Sequence, residues 1–167
     1  MKILVLGDSG MLGHMVVKYL QHNDIDVSVT NNRWPENKND ISNFNGDYII
    51  NCIGAIPQRT NNFDINWQIP IWLDLHSNCK VIHPGTDCEM DDNAYGVSKN
   101  IAGNYIRNIS NQTKSIKTSI IGPELRSNVS LLEWFLSQEG EVTGYSKALW
   151  NGNTTLEWSK QCLELIN

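Results

Sequence analysis

Lys2-Ile3-Leu4-Val5-Leu6, running directly into Gly7-Asp8-Ser9-Gly10-Met11-Leu12-Gly13, is the stretch that decides the fold. A short continuous apolar run ended by glycine has the look of a strand buried on both faces of a parallel sheet. From Met11 to Leu20 apolar residues recur at helical spacing, so the glycines fall in a tight turn from strand into helix. Such a turn leaves backbone N–H groups and the positive end of the helix dipole facing whatever lies above the strand. A pyrophosphate suits that position. One glycine permits the turn, another lets the backbone approach phosphates, and another allows close helix–strand packing. Gly7, Gly10 and Gly13 fit those roles, with Met11 and Leu12 opening the helix beside them. The spacing is G-x-x-G-x-x-G rather than G-x-G-x-x-G. Its position straight after the strand is what gives it weight.

The rest of the chain continues the alternation. Ile25–Val29 reads as a second strand and Tyr48–Ile53 as a third, separated by an asparagine-rich connection. Ile65–Leu75 reads as a helix that Pro70 must kink or begin. Lys80–Ile82 is a fourth strand, Ala94–Ile109 a helix, and Ile116–Ile121 a fifth strand stopped by Gly122-Pro123. Leu131–Leu136 and Leu156–Ile166 read as amphipathic helices. Strands alternating with helices imply a doubly wound parallel α/β sheet. With 167 residues and 40% hydrophobic content, one domain over residues 1–167 is expected.

Composition excludes several classes. A formal net charge of −5, with no basic run, argues against a nucleic-acid surface. Cys52, Cys79, Cys88 and Cys162 form no C-x-x-C pair and no zinc-finger spacing, so neither a disulfide framework nor a metal site is indicated. The N-terminal apolar run is too short for a signal-peptide core, and no segment approaches membrane-spanning length. A cytoplasmic protein with reduced thiols is the expectation.

Ala94-Tyr95-Gly96-Val97-Ser98-Lys99 adds chemistry. Four residues apart on a helix, Tyr95 and Lys99 share a face. A neighbouring ammonium is expected to lower the phenol from its ordinary value near ~10. The pair therefore reads as general-acid machinery. Near the end of the second strand, Thr30-Asn31-Asn32-Arg33 supplies no acid for ribose hydroxyls but does supply an arginine for a 2′-phosphate, which favours NADP over NAD. Asp40 and Ile41 are placed to flank the adenine, and Gly54 and Ala55 to admit a cofactor to the backbone. His76 and His83 read as packing or surface residues.

Taken together, GDSGMLG, INCIGA (Ile50–Ala55), GTD (Gly85–Asp87) and YGVSK resemble the extended short-chain dehydrogenase/reductase superfamily. The resemblance is to its dTDP-4-dehydrorhamnose reductase-like, sugar-nucleotide-binding branch. KTSIIGPEL (Lys117–Leu125), SLLEWFLSQ (Ser130–Gln138) and GYSKALWNGNTTLE (Gly144–Glu157) extend it over most of the chain. It implies a Rossmann-like fold and NADP(H)-dependent reduction of a nucleotide-linked 4-keto-6-deoxysugar in surface-polysaccharide precursor synthesis. By this resemblance Tyr95 is the acid, Lys99 binds the nicotinamide ribose and lowers the tyrosine pKa, and Thr86 hydrogen-bonds the substrate carbonyl. Asn66 matches a family asparagine of structural role. A homodimer also fits.

Two departures from the family pattern bear on activity. Gly85 stands where a serine is usual, and only eight residues separate Thr86 from Tyr95, so a loop expected to cover the nicotinamide is short. Residues 123–167 make a small or truncated substrate lobe. Two other readings therefore stay open: a sugar-nucleotide epimerase or dehydratase with bound NAD, and a dinucleotide-binding regulatory protein without turnover.

Overall fold

The structure is a computed structural model describing residues 1–167. Five parallel strands form one sheet: β1 (Lys2–Leu6), β2 (Asp26–Val29), β3 (Tyr48–Asn51), β4 (Lys80–Gly85) and β5 (Thr113–Lys117), in spatial order β2-β1-β3-β4-β5. The helices are α1 (Met11–His22), α2 (Lys38–Ser42), α3 (Ile65–His76), α4 (Ala94–Asn108), α5 (Leu131–Leu136) and α6 (Thr155–Ile166). A doubly wound parallel α/β sheet, the expected class, is what the chain forms. The strand order reverses direction at β1 and β3, which opens a crevice above their carboxyl ends.

Alternation along the strands builds two cores. Ile3, Val5, Ile50 and Ile82 face one side and pack against Leu12, Val16 and Leu20 of α1 and Trp158, Cys162 and Ile166 of α6. Leu4, Leu6, Ile49 and Val81 face the other and pack against Ile41 of α2 and Ile69 and Leu73 of α3. A strand covered on both faces must be apolar at every position, which is why β1 reads as an unbroken run. Trp158 is fully buried, yet its indole Nε1 finds no partner. Because α6 closes the α1 face of the sheet, residues 155–166 belong to the core layer. Only the segment before them, from residue 123, stands outside it.

Three elements differ from expectation. The expected fifth strand over Ile116–Ile121 is two strands: β5 begins earlier, at Thr113, and Ile120–Ile121 form β6, which pairs in parallel with β7 (Asn153–Thr154). As the sheet edge, β5 is largely exposed, so Lys114 and Ser115 carry no apolar signal. Strand β4 runs on to Gly85 through Pro84; its pairing with β3 ends at Ile82, so beyond that point only β5 needs hydrogen bonds. Pro70 lies inside α3. Helix α2 carries one buried residue, Ile41, and its polar composition hid it.

Helix α5 buries none of its residues; Leu131, Phe135 and Leu136 are exposed. The amphipathic pattern expected there therefore has no covered face within the chain. No helix is long and apolar enough to cross a membrane.

Candidate active site

Backbone geometry at the glycine turn explains each glycine separately. Gly7 has φ +77°, and a Cβ there would also press on the Cys52 backbone at 3.0 Å. At Gly13 a Cβ would collide with the Gly7 carbonyl, so α1 lies against the turn at a distance that admits no side chain. Gly10, at the start of α1, donates its N–H to the Gly7 carbonyl at 3.0 Å. No side chain caps this helix, and the amides of Met11, Leu12 and Gly13 donate to nothing within the chain. Three free N–H groups at a helix N-terminus are what a dinucleotide pyrophosphate requires, so the turn fits the cofactor.

Above the carboxyl ends of β1, β3 and β4 lies a cavity of about 890 Å³. Its lining includes Gly10, Met11, Leu12, Gly54, Thr86, Tyr95 and Lys99. Seven residues singled out in the sequence thus meet at one place. Gly7, Gly13 and Ala55 do not line it. Asn66, fully buried on α3, accepts from the Ala55 N–H at 2.7 Å and donates to its carbonyl at 3.0 Å and to Ser98 Oγ at 3.1 Å. One amide thereby fixes the loop after β3 to both α3 and α4.

Arg33 and Asp40, both exposed, follow β2 and do not line the cavity. The apolar contact expected of Ile41 with adenine is corrected: at 1% exposure this side chain is spent in the core beneath the sheet.

The short connection from Thr86 to Tyr95 still reaches. After β4 the chain makes a single 3₁₀ turn, Asp87–Met90, capped by the Thr86 hydroxyl accepting from the Cys88 N–H at 3.2 Å. Asn93 then caps α4 by accepting from the Gly96 N–H at 2.8 Å. Glu89 pins the turn, with Oε1 accepting from Arg107 at 2.8 Å and Lys117 at 2.6 Å. Burial alone would raise this carboxyl, and the bonds from Lys117 and Arg107 outweigh it and hold it low. Gly96 is obligatory here, since a Cβ would strike the carbonyls of Asp91 and Cys88. The Thr86 hydroxyl also donates to Asp87 Oδ1 at 3.3 Å, a long bond that a substrate carbonyl would have to displace.

The electrostatics of Tyr95 and Lys99 run opposite to expectation. Lys99 Nζ sits over the Tyr95 ring, 5.9 Å from its centroid, and makes no hydrogen bond to the phenol. Burial raises the Tyr95 pKa, the nearby Cys88, Asp87 and Asp91 add to the rise, and the Thr86 side chain opposes it. Lys99 itself is pushed down from 10.5 to about 8 by burial. The phenol is therefore protonated at neutral pH, with burial rather than Lys99 deciding the direction of its shift. His83 is buried neutral: Asn51 accepts from the Ile53 N–H and donates to His83 Nδ1 at 3.1 Å. Burial, then the charge of Lys99, carries the imidazole to about 3, so it serves as packing rather than as an acid. His76 stacks on Trp72 at 4.8 Å.

Several cavity residues escaped the sequence reading. Phe63 meets the Tyr95 ring edge-on, 5.6 Å between centroids, and orients it. Arg59 and Glu124 approach from loops 65 residues apart and form an ion pair at 2.5 Å. Nothing in a local pattern announces a contact of that sequence separation.

Neither a protein-family model nor a curated protein matches the chain. Solved structures do. The dTDP-4-dehydrorhamnose reductase of Bacillus anthracis, in complex with NADP, is similar with TM-score 0.71 at 15% identity, over 99% of this chain and 70% of its own. UDP-glucose 4-epimerase of Thermotoga maritima, with UDP-glucose, is similar with TM-score 0.73 at 15% identity, over 98% and 72%. The capsular polysaccharide assembling protein CapF of Staphylococcus aureus gives TM-score 0.70 at 15% identity, over 99% of this chain and 50% of its own. With its parallel sheet, glycine turn and crevice, the chain has a Rossmann-like doubly wound fold, shared with these solved structures.

Proposed function

We propose that the protein is an NADP(H)-dependent reductase of a nucleotide-linked keto-deoxysugar, with Tyr95 as the proton donor. The observation that carries this reading is the convergence of Thr86, Tyr95 and Lys99 on one cavity with the open amide cradle of α1. The amides of Met11 and Leu12, which line the cavity, would hold the pyrophosphate, Lys99 the nicotinamide ribose, and Arg33 a 2′-phosphate. When bound, the dihydronicotinamide supplies the hydride that turns the carbonyl carbon into an alcohol carbon. Tyr95 gives its hydroxyl proton to the carbonyl oxygen, and water later restores it. The raised pKa of Tyr95 suits this direction, because a reductase needs the phenol protonated when substrate arrives. Thr86 would steady the carbonyl once its hydroxyl leaves Asp87.

The test is to titrate NADPH by fluorescence and then follow its oxidation with dTDP-4-keto-6-deoxysugars. Tyr95→Phe is expected to keep cofactor affinity and to lose about 10²–10⁴ in turnover. An unimpaired Tyr95→Phe would exclude Tyr95 as the acid. Purified protein that carries NAD and inverts a sugar without net oxidation would replace the reductase reading with the epimerase one. Tight NADPH binding with no oxidation of any such sugar would favour a regulatory role.

A further inference from the structure

Between β6 and β7 the chain leaves the core and returns. Ile120–Ile121 pair with Asn153–Thr154, so the residues between them form an excursion closed at its base by that short ladder. It is rich in large apolar side chains, and none of them is buried. On α5, Trp134 and Phe135 follow Leu131 by three and four residues, so the three share one face, with Leu136 exposed beside them. Every residue from Trp134 to Asn151 is exposed. Among them Tyr145 is 89% and Leu149 100% exposed, and Trp150 is half exposed.

The apolar face of α5 is held in place. Glu124 ties down the start of the helix: its N–H donates to Glu133 Oε1 at 3.1 Å, and its Oε2 accepts from the N–H groups of Val129 at 2.9 Å and Ser130 at 3.0 Å. Farther along, from Glu139 to Gly152, the only hydrogen bond is a long one, Ala148 N–H to the Tyr145 carbonyl at 3.5 Å. Backbone and side chains alike are without partners there.

Area decides what fits. At ~150–250 Å² for a whole aromatic side chain and ~60–120 Å² for a leucine, the exposed fractions leave roughly 500–900 Å² of apolar surface on this excursion. That range reaches past the ~300–600 Å² of the largest patch on an ordinary monomer and brackets the ~800 Å² that each partner gives to a stable dimer. Charge points to a second copy of the same chain. The whole chain carries −5, which keeps copies apart, whereas the stretch from Trp134 to Asn151 holds only Glu139, Glu141 and Lys147, two acids and one base. In a two-fold contact each surface meets itself, and one that carries both signs can complement itself.

We infer that residues 131–150 form the interface of a homodimer, with α5 and the Tyr145–Trp150 stretch packed on their counterparts in a second copy. Leu131 also lines the cavity, so the interface carries one wall of the candidate active site. The second copy then holds α5 from outside while Glu124 holds it from within.

The test is the mass of the full chain in solution, by sedimentation velocity over roughly 1–100 µM, where an interface of this size holds together. Wild type is expected to be a dimer at high as at low salt, since apolar surface rather than charge holds it. Leu149→Glu is expected to weaken the dimer by at least ~100-fold, because it buries an unpaired charge on each side of the contact. That side chain has no packing within the chain to lose, so the variant keeps the wild-type circular-dichroism spectrum. Phe135→Glu should act in the same way from α5, and Leu149→Glu decides the matter if Phe135→Glu fails to fold. A wild type that is monomeric at every concentration overturns the inference, and so does a dimer unmoved by both variants. A dimer abolished instead by Ile101→Glu, on the exposed face of α4, places the interface there and overturns it as well. A monomer whose excursion resists protease only when NADPH is bound identifies a lid over the cavity and likewise overturns the dimer.

Discussion

Lys99→Met is expected to make the ligand-free protein more stable while disabling its site. Lys99 is half-buried, and its amine makes no hydrogen bond and no ion pair. Burial lowers its pKa from 10.5 to about 8. Between those values the unfolded chain holds the proton that the folded protein has released, so stability rises with pH across that window. Below pH 8 both states are charged, and the folded state carries the whole cost. At ~1.36 kcal/mol per pKa unit that cost is about 3 kcal/mol at pH 7, falling to about 1 kcal/mol at pH 9.5. Methionine keeps most of the aliphatic stem and removes the charge. Urea unfolding of both proteins at the two pH values reads the difference directly, because every other titrating group cancels between them. The variant should lead by about 3 kcal/mol at pH 7, and the gap should shrink as pH rises. A variant less stable than wild type, or a gap independent of pH, would refute the claim that Lys99 is a strained, unpartnered cation. In the function proposed above, that cost is borne for the nicotinamide ribose that Lys99 would hold.

Three further predictions concern the glycine turn and the packing of α6. Gly13→Ala forces its methyl into the Gly7 carbonyl and should cost about 1–3 kcal/mol by urea unfolding. Gly10→Ala meets only that carbonyl at 3.3 Å, so it should fold nearly as well as wild type yet bind NADPH more weakly in a fluorescence titration. Trp158→Ala should cost about 3–5 kcal/mol as the fully buried indole is lost from between α6 and the sheet. Trp158→Phe should cost clearly less, because it also removes a buried N–H without a partner; equal losses in the two variants would count against the unpaired N–H.

The order of strands and helices was legible because its signals are local. An unbroken apolar run marks a two-sided strand, and a glycine turn before helical spacing marks a phosphate cradle. Boundaries failed where burial is one-sided. Strand β5, at the sheet edge, lost its polar half, and α2 went unseen because only Ile41 turns inward. Among the site residues, those on the first turn of α1 and on α4 were readable from spacing. Phe63, Glu124 and Arg59 were not, since each reaches the cavity from a loop whose position is fixed by distant contacts.

By itself, then, the sequence determined the sheet class, the glycine turn and the pairing of Tyr95 with Lys99 on one helical face, all consequences of short-range periodicity and backbone sterics. Only the tertiary structure decided how that pair is tuned. Burial raises the phenol and lowers the amine, and desolvation is set by what the rest of the chain packs around a group rather than by its neighbours in sequence. The same holds for Arg59, whose tether to Glu124 exists only because the loops after β3 and β6 fold toward one cavity.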